Sequence, residues 1–146
     1  MSMVLFNFGH FLGLGAFFAA LAVELALFRR RVDGRTARLL ALADLVYGLA
    51  AVLVIATGLL KLFAGDKPAA YYGHNAFFHI KLTVFLLIFL ASVYPTVQFV
   101  RNRRAADGDI VEYPAVVGKL LKVELAAAAL IPLLAVLMAR GFGAGS

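Results

Sequence analysis

Hydrophobic residues fill this chain in four long blocks, with polar residues confined mostly to the gaps between them. The blocks run from about 3–28, 39–63, 77–100 and 116–139. A helix needs about 20 apolar residues to cross a bilayer, and each block exceeds that. What remains is three short connections and two stubs. The pattern predicts an all-α fold, a bundle of four transmembrane helices forming a single integral membrane domain over residues 1–146. The first block has no basic residue ahead of it, since the first charge is Glu24 and the first positive one Arg29. It is also longer than the roughly 7–15 apolar residues of a signal peptide core. It is read as a retained helix.

Composition sharpens this picture. Hydrophobic residues make up 64% of the chain, charged residues 15%, and the mean hydropathy is +0.95. A soluble domain has about 45–50% apolar and about 25% charged residues, so a soluble globular domain and a disordered tail are both excluded. Zero cysteines exclude a disulfide scaffold, a thiolate nucleophile and an iron–sulfur cluster. The net charge of +6 points to loops facing an anionic leaflet and not to nucleic acid. Arg29, Arg30, Arg31, Arg35 and Arg38 crowd the first connection, and Arg101, Arg103 and Arg104 the third, with Lys119 and Lys122 just beyond. The second connection carries only Lys67, with Lys61 at its edge, and the C-terminal stub only Arg140. The positive-inside rule places the first and third connections in the cytoplasm and both termini on the outer, periplasmic side of a bacterial inner membrane. Tyr71 and Tyr72 mark the outer boundary.

Small residues mark where helices meet. Gly9, Gly13, Ala16 and Ala20 form one seam, which suits either a neighbouring helix or a second copy in a homodimer. Gly48, Ala51 and Gly58 form another, and Ala126 to Ala129 supply a patch on the fourth helix. Pro95 and Pro132 are expected to kink the third and fourth helices.

Chemistry is sought among ionisable groups inside the spans, where an unpaired charge costs several kcal/mol. They are His10, Glu24, Asp44, His79, Lys81 and Glu124, with His74 in the outer loop. Counting at about 1.5 Å per residue from the cytoplasmic arginines places His10, Lys81 and His79 roughly 28–33 Å up. Glu24 and Asp44 lie roughly 8–9 Å up, with Glu124 level. His10 and Glu24 share a helix face, and Lys81 and His79 point to opposite sides of theirs. The inner acidic layer reads either as an ion-pair ring with the loop arginines or as a proton path. In the outer layer a neutral imidazole suits haem iron, and a cation at that depth suits a haem propionate. His10 and His79 are the candidate metal ligands, with His74 as an alternative second ligand and Lys81 as the propionate partner. Three histidines and three methionines make no copper cluster.

Gly9-His10-Phe11-Leu12, Asp44-Leu45-Val46-Tyr47-Gly48, Asn75-Ala76-Phe77-Phe78 and Ser92-Val93-Tyr94-Pro95-Thr96 also carry a resemblance. The chain resembles small bacterial four-helix inner-membrane proteins classed as a domain of unknown function. That group is distantly similar to CopD-like copper-resistance domains and to the J-type (HemJ) protoporphyrinogen oxidases. The latter bind haem b and carry a histidine on the first helix and a His-x-Lys pair on a later one. His10 and His79-Ile80-Lys81 look like these. The resemblance implies haem b; the absence of tryptophan departs from the oxidases' pattern.

Three functions follow as expectations. The first is a haem b-binding membrane protein with a redox or tetrapyrrole-related role, exchanging electrons with quinone. Glu24, Asp44 and Glu124 would then be proton-handling or structural. The second is a cofactor-free scaffold or accessory subunit of a larger membrane complex. The third is a small proton or ion conductor.

Overall fold

The computed structural model describes residues 2–64 and 76–140. Four helices make up most of them: α1 (Ser2–Leu27), α2 (Gly34–Ala64), α3 (Ala76–Arg101) and α4 (Ala115–Ala139). All four are long and apolar enough to cross a bilayer. In that solvent a helix satisfies its own backbone groups, which is why uniformly apolar blocks adopt it. The second connection, with Tyr71, Tyr72 and His74, lies outside the described residues.

α2 starts at Gly34 and not near residue 39. Asp33 explains this, because its carboxylate accepts the Thr36 N–H at 2.9 Å and caps the helix. Arg35 and Arg38 therefore ride on the first turns of α2 and are not in a loop. Pro95 and Pro132 both sit inside their helices, whose assignments run through them.

The helices are arranged in a ring. α1 packs closely on α2, and α3 on α4, while α1 meets α4 and α2 meets α3 more sparsely. The Gly9/Gly13 seam explains the first of these contacts. A Cβ on Gly13 would lie 3.0 Å from a Val54 methyl, and one on Gly9 3.4 Å from a Thr57 methyl. The seam is thus filled by α2 of the same chain, which takes up the surface that the sequence also offered to a second copy.

The sequence pattern did not predict the connection between the two pairs. β1 (Arg31–Asp33) and β2 (Ile110–Glu112) form an antiparallel two-stranded strap across the Arg-rich end, with Val32 opposite Val111. The valines turn inward and are buried. Beneath them Tyr113 packs against Phe28 and Phe99, with ring centroids 5.7 and 5.5 Å apart. Nearer the middle of the bundle Phe17 stacks on Tyr47 at 4.6 Å and reaches Phe85 at 6.2 Å. Leu21, Ile88, Ala128 and Ile131 complete this apolar core. Large side chains such as Phe8, Leu86 and Leu133 face outward, as a lipid-facing surface requires.

Candidate functional site: a buried carboxyl cluster

Between the strap and the Phe17 layer, polar side chains from all four helices meet. Glu24 comes from the last turn of α1. Asp44 and Tyr47 are three residues apart on one face of α2. Thr96 follows the buried Pro95 on α3, and Glu124 lies on α4. Glu24 and Glu124 are each 1% exposed and Asp44 6%. Tyr47 donates its hydroxyl to Glu124 Oε1 at 3.0 Å, crossing the bundle diagonally. Thr96 donates to Asp44 Oδ1 at 3.1 Å. Glu24 and Asp44 are both buried within this cluster. Glu24 Oε1 and Glu124 Oε2 are buried without a hydrogen-bond partner.

Four of the arginines are engaged elsewhere. Arg29 donates to the Ala26 and Phe28 carbonyls and closes the C-terminal end of α1. Arg103 does the same at Val100, at the end of α3. Arg38 bonds the Ala105 carbonyl and Asp107, and Arg31 pairs with Glu112 across the strap. These last two are the ion pairs among the described residues, and neither includes Glu24, Asp44 or Glu124. Helix-end carbonyls and loop carboxylates take these guanidinium groups.

The cluster is closed along the bundle axis by Phe28, Phe99 and Tyr113 on one side and by Phe17 and Phe85 on the other. Sideways it is not closed. The sparse contact between α2 and α3 leaves a groove of about 520 Å³, and Asp44 and Thr96 are part of its wall.

The outer layer holds a second, smaller site. His10 and Lys81 line one cavity of about 180 Å³ to which all four helices contribute. His10 Nδ1 lies 2.9 Å from Thr57 Oγ1. Thr57 gives its single hydroxyl proton to the Leu53 carbonyl at 2.7 Å. It therefore accepts from His10 Nδ1–H, a proton position assigned from this network. Gly58 leaves room beside the ring, since a Cβ there would meet His10 Cε1 at 3.7 Å. His79 is exposed and is not part of this cavity. The structure thus brings His10 and Lys81 together without His79. No group of three or more His, Cys, Asp or Glu suited to a metal occurs among the described residues.

Sequence reasoning singled out the carboxyls, His10 and Lys81, and missed their hydroxyl partners Tyr47, Thr57 and Thr96. The available signal was spacing: Tyr47 lies one turn from Asp44 on the same face.

No curated protein and no solved structure matches the chain. A family model described as "Predicted membrane protein (DUF2214)" matches residues 2–143. Since that match covers nearly the whole chain and the four helices are built to span a bilayer, the chain belongs to the DUF2214 family of membrane proteins.

Proposed function

We propose that this membrane protein binds and exchanges protons within the bilayer, at the cluster of Glu24, Asp44 and Glu124. One observation carries the reading: three carboxyls from three helices are buried, two of them accept a hydroxyl each from a neighbouring helix, and none is in the ion pairs found among the described residues. A purely structural polar core would be expected to satisfy each buried oxygen, and two are left unsatisfied. Infrared spectroscopy of the protein in nanodiscs tests this. A protonated-carboxyl stretch is expected at neutral pH, shifted by deuterium exchange and lost in Glu24→Gln. A folded protein without that band overturns the reading.

A second reading concerns the outer cavity. His10 lines this cavity, and its Nδ1 is held by Thr57, as the second nitrogen of a metal-ligating imidazole commonly is by a neighbouring group. Lys81 shares the cavity, and both residues carry the similarity to the J-type oxidases. His10 and Lys81 would be the residues to hold haem b, which would supply one-electron chemistry. The space does not suit the macrocycle, since about 180 Å³ falls short of the ~300 Å³ at which ligand pockets begin. An oxidised-minus-reduced visible spectrum decides it. A haem b signal that disappears in His10→Ala supports it, and a flat spectrum after expression with haem precursor removes it. If both the infrared band and the spectrum fail, the scaffold or accessory-subunit role remains.

The location we propose is a bacterial inner membrane, with the strap in the cytoplasm and both termini outside. Ten of the fourteen lysines and arginines lie at the strap end. The chain has no cysteine. Arg140→Cys should therefore react with an impermeant maleimide on intact cells, and Gly108→Cys only after permeabilisation. The reverse pattern inverts the topology.

A further inference from the structure

The groove between α2 and α3 has the size and lining of a ligand site. Its volume of about 520 Å³ falls within the ~300–1,000 Å³ typical of small-molecule sites. It opens sideways, along a helix pair whose outer faces are covered in leucine, valine and phenylalanine, so its entrance lies in the hydrocarbon and not in water. Phe17, Phe85 and Phe89 supply aromatic surface along its wall. Asp44, Ser92 and Thr96 supply the polar surface, and Asp44 is the one carboxyl among its lining. Asp44 is more than nine-tenths buried. Ser92 gives its hydroxyl proton to the Phe89 carbonyl at 2.7 Å, and Thr96 gives its own to Asp44. Both hydroxyls are therefore left as acceptors, and the polar wall of the groove seeks a hydrogen-bond donor.

We propose that this groove binds a bilayer-borne hydroquinone, a flat ring bearing hydroxyl donors and an apolar tail. Each part of that description answers to a feature of the site. The ring matches the aromatic wall. A phenolic hydroxyl donates to Asp44 or to the acceptor oxygens of Ser92 and Thr96. The tail leaves through the lateral opening among lipid chains. A phospholipid fits worse, because its phosphate would approach a carboxyl with no cation in the wall. The proposal rests on the proton-exchanging cluster for its meaning, since Asp44 is the member of that cluster that reaches the groove. The binding itself needs only the groove.

The test uses the full chain in nanodiscs and a decyl-benzoquinol carrying a photoreactive azide. Irradiation followed by peptide mass spectrometry is expected to label the α2 and α3 segments that face the groove, with competition by excess unlabelled decyl-benzoquinol. Gly48 borders the groove, and a Cβ there meets nothing within 4 Å. Gly48→Phe should therefore fill the site without disturbing the fold and should abolish competed labelling. Asp44→Leu should weaken binding by about tenfold, the loss of one hydrogen bond to a carboxyl. Labelling spread evenly over lipid-facing helices, equal competition by a phosphatidylglycerol, or undiminished labelling in a folded Gly48→Phe each overturn the proposal. Gly48→Phe leaves Glu24, Asp44 and Glu124 in place, so the infrared band should survive in it. Loss of labelling with the band intact supports the groove. Absence of the band in the parent protein counts against the cluster alone.

Discussion

Tyr113 buries its hydroxyl without a hydrogen-bond partner while its ring is held between Phe28 and Phe99. An unsatisfied buried polar group costs about 1–3 kcal/mol, so Tyr113→Phe should leave the thermal midpoint in detergent unchanged or raise it. Alkali gives a second readout. Burial pushes the phenol up from 10.0 to about 12. The unfolded chain then releases this proton near pH 10 while the folded one keeps it, so the unfolded state binds fewer protons in that window. Stability from this group is full below pH 10.0 and is lost as pH rises toward about 12. The phenylalanine variant should show a shallower alkaline decline than its parent, and parallel declines would refute the assignment. Gly34 makes the opposite kind of demand. A Cβ there would fall 1.7 Å from the Ala106 carbonyl oxygen, which is backbone and cannot rotate away. Gly34→Ala should cost about 1–3 kcal/mol or more by overpacking, whereas Gly48→Ala, in open space, should be near neutral. At this scale the sequence revealed the residues that break an apolar block, namely Glu24, Asp44, Glu124, His10 and Lys81. It concealed Thr57 and Thr96, because hydroxyls in such helices commonly bond back to their own carbonyls. Thr83 and Ser92 do so here, bonding the His79 and Phe89 carbonyls.

The four helices were legible from length and apolar content alone, since a bilayer leaves a long apolar block little alternative. The start of α2 was not, because the capping role of Asp33 depends on where the chain turns. The strap was hidden for a similar reason: three residues are too few to display an alternating pattern, and Arg31-Val32-Asp33 looks like part of a charged loop. Its energetics divide by face. Arg31 and Glu112 form an ion pair at 3.2 Å with both side chains 70% exposed. Such pairs contribute about 0–1 kcal/mol. Val32 and Val111 are buried on the other face. Val111→Ala removes two buried methyl groups at about 0.8 kcal/mol each, so it should lower stability by about 1.5 kcal/mol, and Arg31→Ala by much less. Denaturation of the two variants in the same detergent compares them directly. A larger effect from Arg31→Ala would mean that the strap is held by charge.

Across the whole molecule, two polar layers are separated by an apolar one. Glu24 and His10 share a face of α1 but stand 14 residues apart, about 21 Å along the helix. The sequence sorted these groups into two layers. It did not show what lies between them, because the order of helices around a bundle and their rotations are set by packing and not by local pattern. The intervening space is filled by Phe17, Leu21, Phe85 and Ile88, with Tyr47 stacked on Phe17. On the strap side Phe28, Phe99 and Tyr113 close the cluster again. A proton relay needs hydrogen-bonding groups or water at short intervals, and these two layers offer neither donors nor acceptors along the axis apart from the Tyr47 and Tyr113 hydroxyls. Tyr47 commits its proton to Glu124, and Tyr113 has no hydrogen-bond partner. The protein should therefore not conduct protons across the membrane, even if the proposed exchange at the cluster takes place. In liposomes carrying an internal pH dye, an imposed gradient should decay no faster with the protein present than without it, and Asp44→Asn should make no difference. A rapid decay abolished by Asp44→Asn would require a continuous wet path through the Phe17 layer, and would turn the bundle from a site of local proton exchange into a conductor.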